Sequence, residues 1–231
     1  VDNAHYQTLF PEAYTSALYS YDGSYQPETI LMQGTGYLLR LASGGNTEFS
    51  GISINELTLS LREGWNLISG ISTAVNADVF YNTGFIATGG IYGYDGSYVS
   101  AETINPGMGY WVRALDDGEI TLSSTALTTK AVEQVNHLEG SNTLEFSNGT
   151  HTATLYFGKD VPEGEEPNHS LPPVFPQMAF DARFTDNMRY TKEAGDIKVI
   201  NISNELTINY DIVLDAGEHM NWILTSASGK E

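Results

Sequence analysis

The sequence predicts an all-β protein in which a tandem β repeat domain of two related units is followed by a β-sandwich. Three observations lead to this fold class: a tyrosine-rich motif that occurs twice, short runs in which apolar and polar residues alternate, and a composition of 23 glycines and 14 tyrosines against ten lysines and arginines. Many glycines and tyrosines with few long basic side chains favour short strands joined by tight turns. No amphipathic helix is predicted.

The repeated motif is Tyr-Asp-Gly-Ser-Tyr, which occupies residues 21–25 and returns 73 positions later at residues 94–98. At the same spacing, Gly-Thr-Gly-Tyr-Leu-Leu-Arg at residues 34–40 matches Gly-Met-Gly-Tyr-Trp-Val-Arg at residues 107–113. Self-similarity at a fixed spacing indicates one structural unit that is used twice.

The same spacing defines the extent of the repeats. The repeat domain is predicted at residues 1–128, with units at about 1–60 and 61–128. The strand that begins at Trp65 has its counterpart before Val1. We therefore expect Val1 to follow a cut within a longer protein, so that the first unit either is incomplete or took its missing strand from the parent protein.

Each unit is predicted to contain a hairpin and a further strand. Asp-Gly between tyrosines suits a two-residue hairpin turn, and the alternation of tyrosines with small or polar residues places the rings on one face of the sheet. The paired glycines before Tyr37 and Tyr110 predict a bend into the further strand. Between the hairpins, residues 57–61 and 65–69 are predicted to form two strands joined by a turn.

The second domain is predicted at residues 135–231 as a β-sandwich of about 100 residues, a common size for that architecture. It opens with a hairpin whose two alternating strands flank an Asn-Gly pair at residues 148–149. A loop rich in proline and glutamate follows. The predicted loop covers residues 160–176, and the later strands are predicted at residues 197–202, 205–213 and 222–224.

Parts of both predicted domains resemble known bacterial sequences. Glu-Gly-Trp-Asn-Leu-Ile-Ser at residues 63–69, together with the motifs at 94–96 and 107–112, resembles a repeat found near the C-terminus of large surface or secreted bacterial proteins. The Leu-Pro-Pro-Val-Phe-Pro and Phe-Asp-Ala-Arg-Phe sequences at 171–176 and 180–184 are similar to a β domain that often precedes the sorting signal of the type IX secretion system. Leu-Tyr-Phe-Gly, which follows Thr154, also fits that domain.

This resemblance implies export and attachment or release at the outer cell surface, and it carries no catalytic residues. It does not extend to a sorting domain after Glu231, so export by that route is an expectation about the parent protein.

The net charge of −19 excludes several classes of partner. Nucleic-acid affinity comes largely from lysines and arginines that neutralise phosphates, so we expect no nucleic-acid partner, and an anionic membrane surface is disfavoured for the same reason. No apolar run approaches the length of a membrane span, so no membrane insertion is expected. The sequence has no cysteine, which excludes disulfides, thiolate nucleophiles and zinc–thiolate sites.

No catalytic constellation is apparent in the sequence, and we predict that the chain is not an enzyme. The five histidines are scattered, which predicts that they are exposed, and neither a His-Glu-x-x-His pair nor a Gly-x-Ser-x-Gly elbow occurs. Asp22 and Asp95 recur with the repeat, which favours a role in turns. Arg183, between Phe180 and Phe184, is predicted to be a partly buried structural residue that pairs with a carboxylate or with backbone carbonyls.

The aromatic residues provide the main candidate binding site. Aromatic faces combine apolar area with polar groups, so a surface of such rings can stack on sugars. The alternative is that the rings pack within and across the strands. The candidate glycan-binding residues are Tyr21, Tyr25, Tyr94, Tyr98, Tyr110 and Trp111.

Calcium is the one cofactor for which the sequence offers a candidate site. Asp116, Asp117 and Glu119 form its densest acidic cluster and can supply oxygen ligands. The cluster lacks the regular alternation of an EF-hand loop, so a solvated turn is the alternative.

The sequence therefore predicts a non-catalytic structural or interaction module of a secreted or cell-surface bacterial protein, located outside the cell or on its outer surface. It would act as a spacer, anchor or adhesion region and contact other domains of its parent. The alternative is a carbohydrate-binding module of a polysaccharide-degrading enzyme, whose partner is a polysaccharide or a cell-surface glycan. A hydrolase is the third hypothesis.

Overall fold

The structure is a computed structural model that describes residues 4–45, 47–48, 50–125, 135–175, 178–200, 205–213 and 222–226. Within these residues the protein is all-β, as predicted, with strands arranged in six sheets. Two α-helices, α1 (Tyr6–Leu9) and α2 (Asp78–Tyr81), are additional to the prediction. Each has only four residues, too few to produce a helical periodicity in the sequence. No helix in the described part of the chain is long and apolar enough to cross a membrane.

The first unit contains a three-stranded antiparallel sheet in the order β2-β1-β3. Its strands are β1 (Ala13–Tyr21), β2 (Tyr25–Pro27) and β3 (Leu38–Leu41). The turn between β1 and β2 has three residues, 22–24, and not the predicted two, because Tyr21 pairs with Tyr25. Gly23 lies in this turn at φ +71°, a conformation that glycine adopts without a steric cost and that three-residue hairpin loops require.

The described residues of the second unit form eight strands. They are β4 (Glu56–Leu61), β5 (Gly64–Ser69), β6 (Val75–Asn76), β7 (Ile86–Tyr94), β8 (Tyr98–Ser100), β9 (Thr103–Ile104), β10 (Gly109–Ala114) and β11 (Gly118–Ser123). One sheet has the order β5-β10-β7-β8, while β4 pairs with β11 and β6 pairs with β9. Side chains that include Leu59, Ile91, Val112 and Leu122 form one buried core between these elements.

The predicted duplication is confirmed by the strand register. Each pair of the first sheet recurs in the second sheet 73 residues later, and a β-bulge interrupts both ladders at the same place. The matched pairs are Ala13–Leu41, Leu18–Leu39 and Tyr19–Leu38 in the first unit, and Ile86–Ala114, Ile91–Val112 and Tyr92–Trp111 in the second. Ser16 and Gly89 have positive φ angles, of 55° and 66°, inside the two bulges. The two units therefore share backbone conformation as well as sequence.

The described residues of the C-terminal region, between 135 and 226, form two sheets that pack as a β-sandwich. Its strands are β12 (Asn142–Ser147), β13 (Thr152–Phe157), β14 (Asp181–Phe184), β15 (Tyr190–Thr191), β16 (Ile197–Ile200) and β17 (Thr207–Asp211). The order β15-β13-β12-β17 forms one sheet and β14-β16 the other. Phe146 and Leu155 of the first sheet share a core with Phe180 and Phe184.

Most of the predicted elements of this region are present. The hairpin around Asn148 and Gly149 is confirmed, with β12 antiparallel to β13. The proline-rich loop contains no strand among residues 160–175 but does include a 3-10 helix, Glu166–His169; a second 3-10 helix covers Thr185–Asn187.

Other predictions for this region are corrected or lie outside the described residues. The strand predicted at residues 222–224 is wrong. Trp222 instead packs its ring edge-on against Phe157, with 4.6 Å between centroids, and buries apolar area without pairing. Residues 201–202 of one predicted strand, and most of the boundary predicted near residues 128–135, lie outside the described residues.

Candidate functional site

The two repeat units and the C-terminal region meet at a cluster of aromatic side chains, which we call the aromatic junction. Its members are Tyr21, Tyr25 and Leu38 of the first unit, Trp65, Leu67, Tyr92, Tyr98 and Trp111 of the second, and Leu171 of the C-terminal region. The alternation of side chains along a strand directs these rings to one side of each sheet. The junction therefore joins all three parts of the chain.

Trp111 lies at the centre of the aromatic junction and is only 1% exposed. The centroid of its ring lies 4.9 Å from that of Tyr21 and 6.3 Å from that of Trp65, both in edge-to-face contact. Edge-to-face pairs place the positive ring edge against the negative ring face and add stability beyond burial of area. Because Tyr21 belongs to the first unit and Trp65 to the second, the two units share this part of their core.

The C-terminal region enters the junction through residues 171–175. Leu171 is buried within the cluster, and the carbonyl oxygen of Pro173 accepts hydrogen bonds from the hydroxyl groups of Tyr25, at 2.8 Å, and Tyr98, at 2.9 Å. Tyr25 and Tyr98 occupy equivalent positions in the two units, 73 residues apart. The duplicated tyrosine thus holds one carbonyl from both sides.

Further contacts hold the end of this segment and the residues that follow it. The ring of Phe175 lies 5.1 Å from that of Tyr25. The hydroxyl oxygen of Tyr94 accepts a hydrogen bond of 2.9 Å from the backbone N–H of Ala179, and the N–H of Phe180 donates to the carbonyl of Gly96 at 3.1 Å. The hairpin of the second unit therefore also holds the residues that lead into β14.

Burial controls the protonation of these tyrosines. It raises the pKa of the Tyr25 phenol and that of the Tyr98 phenol well above their ordinary value, because the charged phenolate is disfavoured away from water. Burial raises the pKa of Tyr94 in the same way. The hydroxyl groups of Tyr25 and Tyr98 therefore stay neutral at physiological pH and remain donors to the Pro173 carbonyl.

Arg183 holds the segment of residues 171–175 through the carbonyl of Pro172, and its ion pair confirms the pairing predicted from the sequence. Its side chain is 2% exposed and forms an ion pair with the carboxylate of Asp181, which is 4% exposed. Arg183 also donates to the carbonyl of Pro172 at 2.8 Å and to Oδ1 of Asn187 at 2.9 Å. A buried guanidinium with these acceptors holds Pro172 in place beside Pro173.

The six residues predicted to bind glycans do not form one exposed platform. Tyr110 and Trp111 are 5% and 1% exposed, so their rings have no free face on which a sugar could stack. The Tyr110 hydroxyl instead accepts a hydrogen bond of 3.0 Å from the backbone N–H of Asn105. Tyr21, Tyr25, Tyr94 and Tyr98 are partly exposed, and glycan contact at these four remains a prediction.

The three carboxylates of the candidate calcium site are exposed; those of Asp116 and Asp117 accept hydrogen bonds at the turn before β11, and that of Glu119 accepts one across the β4–β11 pair. Asp117 accepts a hydrogen bond from the backbone N–H of Glu63 at 2.8 Å, Asp116 accepts one from the N–H of Asp117 at 2.8 Å, and Glu119 accepts one from the hydroxyl of Ser60 at 3.1 Å. In the described part of the chain, no group of three or more His, Cys, Asp or Glu side chains could hold a metal ion.

A cleft of about 170 Å³ lies beside the aromatic junction, between the second repeat unit and the C-terminal region. Its lining includes Tyr92, Tyr98 and Ser100 on one side and Thr152, Thr154, Tyr156, Asp181 and Arg189 on the other. The guanidinium carbon of Arg189 lies 5.8 Å from the ring centroid of Tyr92 and 5.9 Å from that of Tyr156. The hydroxyl of Tyr92 and Nε of Arg189 are buried and have no hydrogen-bond partner among the described residues.

His169 contradicts the expectation that the scattered histidines are exposed. It is 5% exposed, and neither ring nitrogen has a hydrogen-bond partner within the described residues. Burial, assisted by the positive charge of Arg189, lowers the pKa of His169 to about 4. The imidazole is therefore neutral at physiological pH and packs beside Tyr190, with 5.6 Å between ring centroids.

Sequence reasoning identified the tyrosines but not the residue that they bind. Pro173 is 148 positions from Tyr25 and 75 from Tyr98, so no local pattern connects them. The lining of the cleft is spread along the chain in the same way. Comparison of the chain with protein-family models, with characterised proteins and with solved structures found no significant match.

Proposed function

We propose that the chain is a non-catalytic structural module of a secreted or cell-surface bacterial protein, in which it acts as a stiff spacer or anchor for other domains. The observation that carries this proposal is the shared acceptor at Pro173, which receives a hydrogen bond from each repeat unit. A repeat whose equivalent tyrosines both donate hydrogen bonds to a neighbouring domain is suited to holding that domain in a constant orientation.

The chemistry of the interface supports stiffness. Relative motion between domains is the ordinary expectation unless their interface is large and hydrophobic. Here Leu171 and Phe175 of the C-terminal region pack against rings of the repeat units, and Phe180 is hydrogen-bonded to the hairpin of the second unit. Bending at this interface would expose these apolar groups and break these hydrogen bonds.

The proposed location outside the cell depends on composition and on the resemblance. A net charge of −19 favours solubility and discourages self-association. Both the repeat motif and the sequence at residues 180–184 resemble parts of exported bacterial proteins. An adhesion role would use the exposed surface of the same stiff module.

Spin-label distance measurements test the stiffness. The chain has no cysteine, so Glu56→Cys on β4 and Thr207→Cys on β17 introduce the only two thiols, both at exposed positions. Double electron–electron resonance on the labelled protein should give one narrow distance distribution. Adding Tyr25→Ala and Tyr98→Ala should broaden the distance distribution, while the far-UV circular dichroism spectrum of the protein stays unchanged.

The matched control is Tyr14→Ala, which removes a tyrosine that is 47% exposed and lies outside the aromatic junction. It should leave the distribution narrow. A broad distribution in the protein that keeps Tyr25 and Tyr98 would rule out a stiff spacer.

A second function, carbohydrate binding, is favoured by the cleft rather than by the buried rings. The cleft combines aromatic faces with the hydroxyls of Thr152, Thr154 and Ser100 and the guanidinium of Arg189, a mixture suited to sugar hydroxyls. A volume of about 170 Å³ suits a single sugar residue rather than a length of polymer. We propose that any glycan contact is made to a chain end or a branch.

Affinity electrophoresis in gels that contain plant or algal polysaccharides tests this second function. Retarded migration that is lost in Tyr156→Ala and Arg189→Ala, but kept in Tyr210→Ala, would support binding in the cleft. Tyr210 is 75% exposed and lies outside the cleft, which makes it the matched control. Retardation that survives the substitutions at Tyr156 and Arg189 would place the glycan elsewhere.

A further inference from the structure

Within the described part of the chain, one edge of β3 has no partner strand, whereas both edges of its counterpart in the second unit are paired. β10 lies between β7 and β5 and pairs with both. β3 occupies the equivalent place in the first unit, yet among the described residues it pairs only with β1. An unpaired edge presents backbone N–H and C=O groups that can bind another strand.

The hydrogen bonds of β5 define which of its backbone groups face β10. The N–H of Gly36 donates to the carbonyl of Leu67, and the N–H of Ser69 donates to the carbonyl of Gly34, each at 3.0 Å. Leu67 and Ser69 therefore point their backbone groups away from β10. Because these groups alternate along an antiparallel strand, those of Ile68 point towards β10.

The same alternation identifies the outward groups of β3. Ile68 pairs with Tyr110, so Tyr110, Val112 and Ala114 direct their backbone groups towards β5. Their counterparts 73 residues earlier are Tyr37, Leu39 and Leu41. Tyr37 precedes β3 and its backbone lies against Gly109, so Leu39 and Leu41 carry the outward groups of β3 itself. The N–H of Ala42 bonds to the carbonyl of Glu12 on the β1 side, which confirms the alternation in the first unit.

Burial differs between the two units at these positions. Ala114 and Val112 are both 0% exposed, whereas Leu41 is 37% exposed and Leu39 is only partly buried. The apolar side chains of β3 thus lack cover that the second unit possesses.

We propose that the free edge of β3 binds, in antiparallel orientation, a strand with the Gly-Trp-Asn-Leu-Ile-Ser pattern of β5 that is supplied by another repeat unit of the same kind. The duplicated register is the reason for this choice of partner, since β5 already occupies the equivalent edge of β10 in this chain. The incoming tryptophan and central leucine would cover the face that carries Leu38, and the incoming isoleucine would cover the face that carries Leu39. This proposal does not depend on the function proposed above.

A synthetic peptide of residues 62–70, which contains β5, tests the proposal on the intact protein. Fluorescence anisotropy of the labelled peptide should give saturable binding, and amide hydrogen exchange should slow at Leu39 and Leu41. The matched control peptide carries Asn66→Pro, which removes the N–H group that would face Leu39 of β3. Equal binding of both peptides, or unchanged exchange at saturation, overturns the proposal.

Variants of the protein locate the binding at this edge. Leu41→Pro removes an outward N–H and should weaken peptide binding by about tenfold or more, whereas Leu41→Ala keeps the N–H and should have a smaller effect. Concentration-dependent dimerisation of the protein alone that Leu41→Pro abolishes would identify a second copy as the partner and so overturn the proposed one.

Fusing the β5 sequence to the protein tests the same pairing without depending on the affinity of a free peptide. A copy of residues 62–73 placed directly before Val1 positions its tryptophan 73 residues ahead of Trp65, in the register of the repeat. The extended protein should melt at a higher temperature, and Leu41→Pro should remove that gain. An extension that leaves both the melting temperature and the exchange of Leu39 unchanged contradicts the proposal.

Discussion

Tyr25 and Tyr98 donate hydrogen bonds to one acceptor, the carbonyl oxygen of Pro173, at 2.8 and 2.9 Å. The two tyrosines are equivalent residues of a duplicated unit, 73 positions apart. The duplication therefore provides two hydrogen bonds to a third part of the chain. A carbonyl oxygen has two lone pairs and can accept both bonds at once. The two repeat units are therefore joined through the C-terminal region as well as through their shared aromatic rings.

We predict that the contributions of these two hydroxyls to stability are coupled. Tyr25→Phe and Tyr98→Phe should each lower the free energy of unfolding by about 0.5–1.5 kcal/mol, because each leaves Pro173 with one donor. The double variant leaves the carbonyl with neither donor and should lose about 1 kcal/mol more than the sum. Urea unfolding of the four proteins measures this coupling, with Tyr210→Phe as an exposed control. Strict additivity would mean that the two bonds do not share an acceptor.

The ion pair between Arg183 and Asp181 should be essential for folding stability. Arg183→Ala or Asp181→Ala leaves an unpaired charge in a buried site and should cost about 3–5 kcal/mol. Lys192→Ala, which breaks the exposed pair with Asp160, should leave the unfolding midpoint unchanged. Chemical denaturation compares the three variants, and a similar small effect in all of them would contradict the structural role of Arg183.

Gly36 should not tolerate a side chain. A Cβ atom at this position would lie 2.3 Å from the carbonyl oxygen of Ile68, a backbone atom that cannot move aside cheaply. Gly36→Ala should therefore destabilise the protein by about 1–3 kcal/mol and loosen the contact between the two units. Gly44→Ala is the control, since a Cβ there has no atom within 4 Å. Thermal melts of both variants give the comparison, and equal melting temperatures would refute the close approach.

His169 should make stability depend on pH on the acid side of neutrality. Its pKa is lowered to about 4 by burial, while an unfolded histidine titrates near its ordinary value of about 6.5. Below pH of about 6.5 the unfolded chain binds a proton that the folded protein does not, so stability falls as pH decreases towards 4 and this contribution then levels off. Above that window His169 is neutral in both states and contributes no slope.

His169→Phe keeps an aromatic ring and removes the titration. Urea midpoints measured from pH 7 to pH 4 should fall less steeply in this variant than in the unsubstituted protein. The difference between the two curves isolates His169 from the carboxylates, which titrate in both proteins. Parallel curves would show that His169 is not the buried neutral group described above.

The sequence by itself determined the local features of this protein. The glycines of the turns and the alternation of apolar residues are local patterns, and the motif that returns after 73 residues can be read directly from the sequence. Together they correctly predicted the duplicated hairpins and the β12–β13 hairpin. The prediction for Arg183 also succeeded, because a carboxylate stands two residues away at Asp181 and the flanking phenylalanines signal burial.

Only the tertiary structure decided how these local pieces are used. A strand pattern says that tyrosines share a face but not whether that face meets solvent or another domain, so the packing of Trp111 and the hydrogen bonds to Pro173 were not predictable. The burial of His169 and the separate hydrogen bonds of Asp116 and Glu119 were likewise not predictable from the sequence. Each of these features depends on contacts between segments far apart in the chain. The free energy of such contacts comes from burying the surface that the segments share, which local sequence patterns do not reveal.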